Sequence, residues 1–343
     1  MPVETVKYTL RIHRKINRQV LDNIARLWQV GQQAKTYQDI LDGLHPWGDH
    51  PGLKFNNVLP FILLVIASGF TLFGIFFIQH SLIAGLSFLT AFVLGLFAYL
   101  CYESDQPLTE VIQFLEQQIL EKKYQLNFQE LPPHFPDSTQ PFFFIARLKN
   151  LFPVFQQGSV SNMLPVYAST TWKDQQGRER PIMLFQYDFI NEIKIAGQDT
   201  QQVAVQRTQK TLWGIFVFEA PTLGLAVTTS NKEFGAPYSS AWYSSDLQIN
   251  QKLRIYGLEP LELAKTMTPA MTLRLDQFFT QHSGELLFHH EHHIMCFLNR
   301  QNLFKIHTKA QNREDISSLR GHLRTLRLGA YEKLLNNLEQ LLQ

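Results

Sequence analysis

The chain has 343 residues, of which 45% are hydrophobic and 17% are charged, and its formal net charge is +2. A charge so close to zero argues against a nucleic-acid partner, which a strongly basic face would attract. The two cysteines, Cys101 and Cys296, cannot build a disulfide framework, so the sequence favours a reducing compartment. The shortage of charge is local, because residues 58–102 contain no Lys, Arg, Asp or Glu.

The first fifty-six residues predict an amphipathic helix over 8–36. Apolar residues recur at helical spacing, at Ile16, Val20, Ile24, Leu27 and Val30. Residues 1–57 carry eight Lys or Arg and five Asp or Glu. Such a helix suits an anionic membrane surface, and it suits packing on another part of the chain equally well.

Two uncharged apolar segments, 58–78 and 82–102, predict a transmembrane hairpin. Each has 21 residues, which is about 31 Å of helix and matches the hydrocarbon core of a bilayer. The three-residue connection contains no Lys or Arg, whereas basic residues precede the first span, so both flanks are expected in the cytoplasm. Small residues at Ser87, Ala91 and Gly95 would pack the hairpin or, alternatively, join two copies.

The rest of the chain predicts helices around a sheet. Residues 107–128 read as a helix and 131–141 as a linker. From about residue 160, short runs rich in Val, Thr and aromatic residues predict antiparallel strands. Residues 259–284 predict two short helices broken at Pro269, and 313–342 predict one long amphipathic helix.

The predicted fold class is therefore α+β, with a two-span transmembrane helical hairpin and a cytoplasmic domain in which long helices flank an antiparallel β-sheet. Five regions follow: an N-terminal amphipathic helical region (1–56), the hairpin (57–103), a membrane-proximal helix and linker (104–140), a cytoplasmic α+β domain (141–310) and a C-terminal amphipathic helix (311–343).

Three stretches resemble the DUF3137 family of bacterial proteins of unknown function. They are "LWGIFVFEAP" (212–221), "LRIYGLEPLELAKTMTPAMTLRLDQFF" (253–279) and "NLFKIHT" (302–308). The resemblance covers about residues 55–340 and implies a bacterial, membrane-anchored protein without an established activity. It supplies no catalytic residues. The basic helix before the first span and a histidine-rich turn depart from the family's pattern.

That turn contains the chain's main candidate site, "HHEHH", which comprises His289, His290, Glu291, His292 and His293. On a strand, these residues divide between the two faces, and zinc needs three or four ligands converging at about 2 Å. The helical motif H-E-x-x-H fails because Ile294 stands in its last position. A polar hairpin turn is the favoured interpretation. A transition-metal site, to which His282 could add a ligand, and a pH-sensitive turn are the alternatives.

No catalytic residue is assigned, because the chain has no nucleophile elbow, P-loop, dinucleotide fingerprint or C-x-x-C motif. The sequence thus favours a non-enzymatic, membrane-anchored interaction or scaffold module without a bound cofactor. The alternative is a metal sensor or metal-dependent enzyme at 289–293, and a third hypothesis is a self-assembling membrane protein. The expected partners are the lipid bilayer and a membrane protein or a second copy. The expected location is the bacterial inner membrane, with both termini cytoplasmic.

Overall fold

A computed structural model describes residues 15–45, 47–48, 51–132, 141–174, 176–196, 203–308 and 314–342. It contains helices and an antiparallel sheet, as predicted, and two of its helices are long and apolar enough to cross a membrane. The chain divides into a helical unit, Met1–Lys123 with Thr308–Leu326, and a sheet unit, Tyr124–His307 with Arg327–Gln343. Each unit is described by itself.

Within the described residues, six helices belong to the helical unit. They are α1 (Lys15–Gln33), α2 (Tyr37–Gly43), α3 (Val58–Phe76), α4 (Ser81–Cys101), α5 (Gln106–Tyr124) and, from the C-terminal part of the chain, α10 (Ile316–Arg324).

Helix α1 packs on α5. Val20, Ile24 and Leu27 are buried, and the ring of Trp28 stacks on Phe114 of α5 at 4.4 Å between centroids. This contact favours the second of the two predicted roles, packing on the chain itself. The first predicted apolar residue, Ile16, lies outside the contact and is 53% exposed.

Helices α3 and α4 form a tight antiparallel hairpin through small residues at seven-residue spacing. Buried positions recur in each helix, at Pro60, Ala67 and Gly74 in α3 and at Ala84, Ala91 and Ala98 in α4. A repeat of seven keeps one face of each helix toward the other. Ser87 donates from its hydroxyl to the Phe70 carbonyl at 2.6 Å, across the contact. Gly95 lies off this seam, since a Cβ there would meet nothing within 4 Å.

The open end of the hairpin is closed by an asparagine. The Asn57 side chain donates to the Glu103 carbonyl at 2.8 Å and accepts from the Glu103 amide at 3.0 Å. One amide group thus satisfies both backbone groups of the residue that follows the second span. The two flanks of the hairpin consequently lie together at one end.

In the part of the sheet unit that the structure describes, ten strands pair with one another, and each pairing is antiparallel. The strands are β1 (Asn127–Phe128), β2 (Ser161–Met163), β3 (Tyr167–Lys173), β4 (Glu179–Ala196), β5 (Val203–Phe218), β6 (Leu225–Thr228), β7 (Ser240–Trp242), β8 (Arg254–Gly257), β9 (Glu285–Phe288) and β10 (Ile294–Asn299). Their order is β1-β3-β4-β5-β10-β9-β6-β8-β7, and β2 pairs with β4.

Five helices and one 3₁₀ turn are the other elements described in the sheet unit. They are α6 (Pro141–Leu151), a 3₁₀ turn (Pro153–Gln156), α7 (Leu247–Lys252), α8 (Pro260–Thr266), α9 (Pro269–Gln281) and α11 (Gly329–Leu342). The predicted break at Pro269 is confirmed, because Thr268 caps α9 by accepting from the Met271 amide at 3.2 Å.

The central strands are buried on both faces. On one face, Phe152 and Phe155 of the 3₁₀ segment pack on Phe216 of β5. On the other face, Phe278 of α9 meets Phe297 of β10 edge-on at 5.1 Å. Helices therefore cover both sides of the sheet, which explains why these strands read as nearly continuous apolar runs.

Two predicted helices have different bounds in the structure. The predicted C-terminal helix over 313–342 is wrong as one helix, because α10 ends at Arg324 and α11 begins at Gly329. Between them, Leu326 and Leu328 are buried, and Arg327 exchanges backbone hydrogen bonds with His307. These tertiary contacts override the continuous helix that the amphipathic spacing of the apolar residues predicts.

The helix predicted to end at 128 ends at Tyr124, since Asn127 and Phe128 pair with β3. Parts of the predicted linker (133–140) and the tip of the β4–β5 hairpin (197–202) lie outside the described residues.

Replacing Tyr187 by Phe is expected to lower the free energy of unfolding of the sheet unit by about 1–2 kcal/mol. Its buried hydroxyl lies 2.9 Å from the Gln157 carbonyl and 3.1 Å from the Phe155 carbonyl, so it ties the 3₁₀ turn to β4. Urea denaturation of the full chain measures the change. The exposed Tyr243→Phe is the matched control, and an equal loss in both variants would contradict the prediction.

Candidate functional site

The candidate site is the turn between β9 and β10. The two strands pair with Phe288 opposite Met295, and the His289 amide donates to the Ile294 carbonyl at 3.0 Å. The Ile294 amide donates to the His292 carbonyl at 2.7 Å. The predicted hairpin turn is thus present, and all five candidate residues lie in it.

His289 organises the turn from within. Its side chain is buried and presents its edge to Phe152, and its Nδ1 accepts from the backbone amides of Glu291 and His292, both at 3.0 Å. A backbone N–H group can only donate, so Nδ1 must be unprotonated and accept with its lone pair. The neutral ring therefore holds its proton on Nε2. Burial is the main cause that lowers the pKa of His289 to about 4, and the neighbouring His290, His292 and Arg147 contribute to that shift.

The other imidazoles surround His289. His290 stacks on it at 4.6 Å between centroids, and His292 lies at 4.7 Å. His293 turns away, with its Nδ1 3.1 Å from the Ala220 carbonyl. Glu291 is mostly exposed, and its carboxylate lies 3.6 Å from Nε2 of His290. The turn therefore brings the rings of His290 and His292 against His289, of which only His290 stacks on it, and leaves His293 outside this group.

His282, the additional ligand that the sequence suggests, has a different environment. Six residues separate it from the turn, namely Ser283, Gly284 and the four residues of β9, and those four alone span about 13 Å. Its Nε2 lies 2.7 Å from Nδ2 of Asn337 and accepts from it, and its ring packs on Phe278. Burial lowers the pKa of His282 to about 4, with a smaller contribution from Lys333.

The metal hypothesis depends on which histidine nitrogen atoms of the turn are available as ligands. Within the described parts of the chain, no three His, Cys, Asp or Glu side chains are grouped so that they could hold a metal ion. The lone pair of His289 Nδ1 is already used by two amides. His290 Nδ1 is enclosed and has no hydrogen-bond partner among the described residues. His290 is consequently the ligand to test first.

Metal analysis of the full chain, purified without a histidine tag or chelator, is expected to give well below one transition-metal ion per chain. The reason is that convergent donors are required, and two of the four histidines are occupied by backbone groups. Elemental mass spectrometry measures the content. About one ion per chain, lost in His290→Ala/His292→Ala but retained in His45→Ala/His80→Ala, would establish a metal site instead.

A third buried histidine, which the sequence does not signal, lies in the helical unit. His322 of α10 is fully buried, with its Nε2 2.7 Å from a carboxylate oxygen of Glu116 on α5 and its Nδ1 3.1 Å from the Thr308 hydroxyl. The partners are 206 and 14 residues away in sequence, so no local pattern signals the group. The arrangement joins α10 to α5, which is a structural role.

No family model, curated protein or solved structure matches this chain. The site and the fold therefore carry the functional argument.

Proposed function

We propose that this chain is a membrane-anchored interaction scaffold of the bacterial cytoplasmic membrane, with both termini in the cytoplasm. The hairpin of α3 and α4 is the observation that carries the anchoring. The residues buried between its two helices are mostly small, among them Ala67, Gly74, Ala84 and Ala91, and many of its large apolar residues face outward. Those exposed include Phe61, Leu64, Leu72, Phe76, Leu82, Leu89 and Phe92. Exposing such an apolar surface costs little free energy in lipid but much more in water.

The orientation of the hairpin rests on the charges that flank it. Asn57 and Glu103 hold the two open ends together, so a hairpin that crosses the bilayer twice leaves both on one side. Basic residues outnumber acidic ones in 1–57, while the connection at 79–81 has neither Lys nor Arg. The excess of positive charge supports a cytoplasmic position for both flanks. The bacterial origin rests on the resemblance to the DUF3137 family.

The interaction role is supported by one region of the sheet unit. Strand β7 is at the end of the sheet order, and three large apolar side chains follow it on the nearby segments: Tyr243 is 71% exposed, Leu247 74% and Leu261 67%. An edge strand with exposed apolar neighbours is a common site of strand addition by a protein partner. We define Tyr243, Leu247 and Leu261 as the β7 patch.

Photo-crosslinking in cells tests both parts of the proposal. A photoreactive amino acid at Leu247 is expected to yield one adduct of defined mass in the membrane fraction, which Tyr243→Asp/Leu261→Asp removes. The same amino acid at the exposed Gln301, away from β7 in sequence, is the control. Adducts of equal yield at both positions, or recovery of the chain in the soluble fraction, would refute the proposal.

A further inference from the structure

A groove of about 650 Å³ lies between helices α9 and α11 of the sheet unit. Of the eight described residues that line it, seven are polar, and four of these carry a carboxamide: Gln277, Gln281, Asn337 and Gln340. Sites for small molecules have similar volumes, but their walls are mostly apolar, because buried apolar surface supplies much of the affinity. Polar walls of this kind favour a ligand that carries hydrogen-bonding groups along its whole length.

The groove also contains a positive charge that the protein does not neutralise. Arg274 is half-buried and makes no hydrogen bond or ion pair with any residue that the structure describes. Asp276, the acidic residue of the groove, is paired elsewhere, since its carboxylate lies 3.2 Å from the Lys252 ammonium. A guanidinium binds a carboxylate through two parallel hydrogen bonds. Arg274 therefore favours a ligand with a carboxylate.

The two glutamines of α9 have a spacing that suits an extended main chain. Gln277 and Gln281 are four residues apart, which is about 6 Å along the helix axis. In an extended chain, every second residue directs its N–H and C=O groups to the same side, at a repeat of about 6.6 Å. A carboxamide donates and accepts, so it can pair with both groups. Both glutamine side chains are exposed, and neither is bonded to a described residue.

Across the groove, Asn337 of α11 is held in one orientation. Its Nδ2 donates to Nε2 of His282 at 2.7 Å, and the buried ring of His282 packs on Phe278. The Oδ1 of Asn337 makes no hydrogen bond with the described residues, so it can accept from a ligand. A group that is already fixed in place loses little conformational entropy when it binds.

We propose that the groove between α9 and α11 binds an extended acidic peptide. The carboxamides of Gln277, Gln281 and Asn337 hold the main chain of the peptide. The guanidinium of Arg274 holds one of its carboxylates. The groove shares no residue with the β7 patch, and this inference does not depend on membrane insertion. Main-chain groups are common to all peptides, so the carboxamides bind without regard to sequence, and Arg274 supplies the selectivity for Asp or Glu.

Fluorescence anisotropy of labelled peptides, with the full chain in a neutral detergent, tests this site. The peptides have about seven residues, whose extended length of about 23 Å exceeds the roughly 20 Å of α9. They form two pools with otherwise random sequences, one with Asp or Glu at the central position and one with Asn or Gln there. We expect the acidic pool to bind about tenfold more tightly.

Two variants separate the parts of the site. Arg274→Gln should remove the preference for the acidic pool and leave the binding of the amide pool unchanged. Gln277→Ala/Gln281→Ala should weaken the binding of both pools by about fivefold and keep the preference, because it removes hydrogen bonds to the main chain only.

Matched controls change the same residue types on β5. Arg207→Gln removes an exposed guanidinium, Gln206→Ala/Gln209→Ala removes two exposed carboxamides, and both variants should bind both pools as the wild type does. Tyr243→Asp/Leu261→Asp in the β7 patch should also keep the preference. The proposal would be overturned if neither pool bound, if the preference survived in Arg274→Gln, or if a control variant lost it.

Discussion

Arginine at Ile66 and Phe92 is expected to abolish insertion of the hairpin. Both residues lie near the middle of their helices and face outward, with Ile66 44% and Phe92 69% exposed. A charged side chain at the centre of a membrane helix costs about 2.5–3.5 kcal/mol on insertion scales. The double variant therefore loses about 5–7 kcal/mol, which lowers the inserted fraction by several orders of magnitude. Resistance to alkaline extraction from membranes measures that fraction.

The control for this variant places the same charges at the ends of the helices. Val58→Arg/Tyr102→Arg also changes exposed positions, but a long arginine there reaches the headgroups at little cost. It should remain in the membrane fraction. If Ile66→Arg/Phe92→Arg resisted extraction equally, α3 and α4 would not be facing lipid, and the anchoring would have to be abandoned.

Acidification from pH 7.5 to pH 5 is expected to destabilise the sheet unit by about 4 kcal/mol through two histidines. His282 and His289 are neutral in the fold, where burial lowers the pKa of each from 6.5 to about 4. The unfolded chain binds the extra protons as pH falls below about 6.5, so the stability present above that pH is lost progressively down to about pH 4. Each histidine contributes about 2 kcal/mol of the loss by pH 5.

Two isosteric substitutions separate titration from packing. His289→Asn keeps an acceptor where Nδ1 stands, and His282→Gln keeps one where Nε2 stands, so the amides of the turn and of Asn337 retain partners. The double variant should lose about 4 kcal/mol less than the wild type between pH 7.5 and pH 5. Hydrogen exchange of the β9 and β10 amides measures the opening free energy. The same pH slope in both proteins would show that carboxylates, not these histidines, cause the loss.

The sequence predicts the elements of this fold better than their contacts. Two apolar runs of the length of a bilayer define the hairpin, and alternating aromatic and β-branched residues define the sheet, because both depend on local composition. The seam of the hairpin is harder to predict: of the three small residues expected in it on the second span, Ser87 and Ala91 are buried there, but Gly95 is not. The choice depends on how the helices are rotated, which only their mutual packing decides.

The candidate site shows the same limit. Clustering of histidines and a hairpin turn are visible in the chain, but the role of His289 is not. That role needs Phe152, 137 residues earlier, to bury the ring, and it needs the turn to aim two amides at Nδ1. Similarly, the break at Leu326 and Leu328 contradicts a strong helical period, because it depends on the distant backbone of His307.

The division of the helical unit between two distant parts of the chain has a consequence for biosynthesis. Glu116 and His322 are separated by 206 residues, which a ribosome working at about 5–20 residues per second takes about 10–40 s to synthesise. The hairpin, for which we propose insertion into a membrane, is complete during that interval, while α5 still lacks α10. A stop codon at any position before Ile316 would therefore damage the first third of the protein as well as the sheet unit, although every residue of that third had been translated.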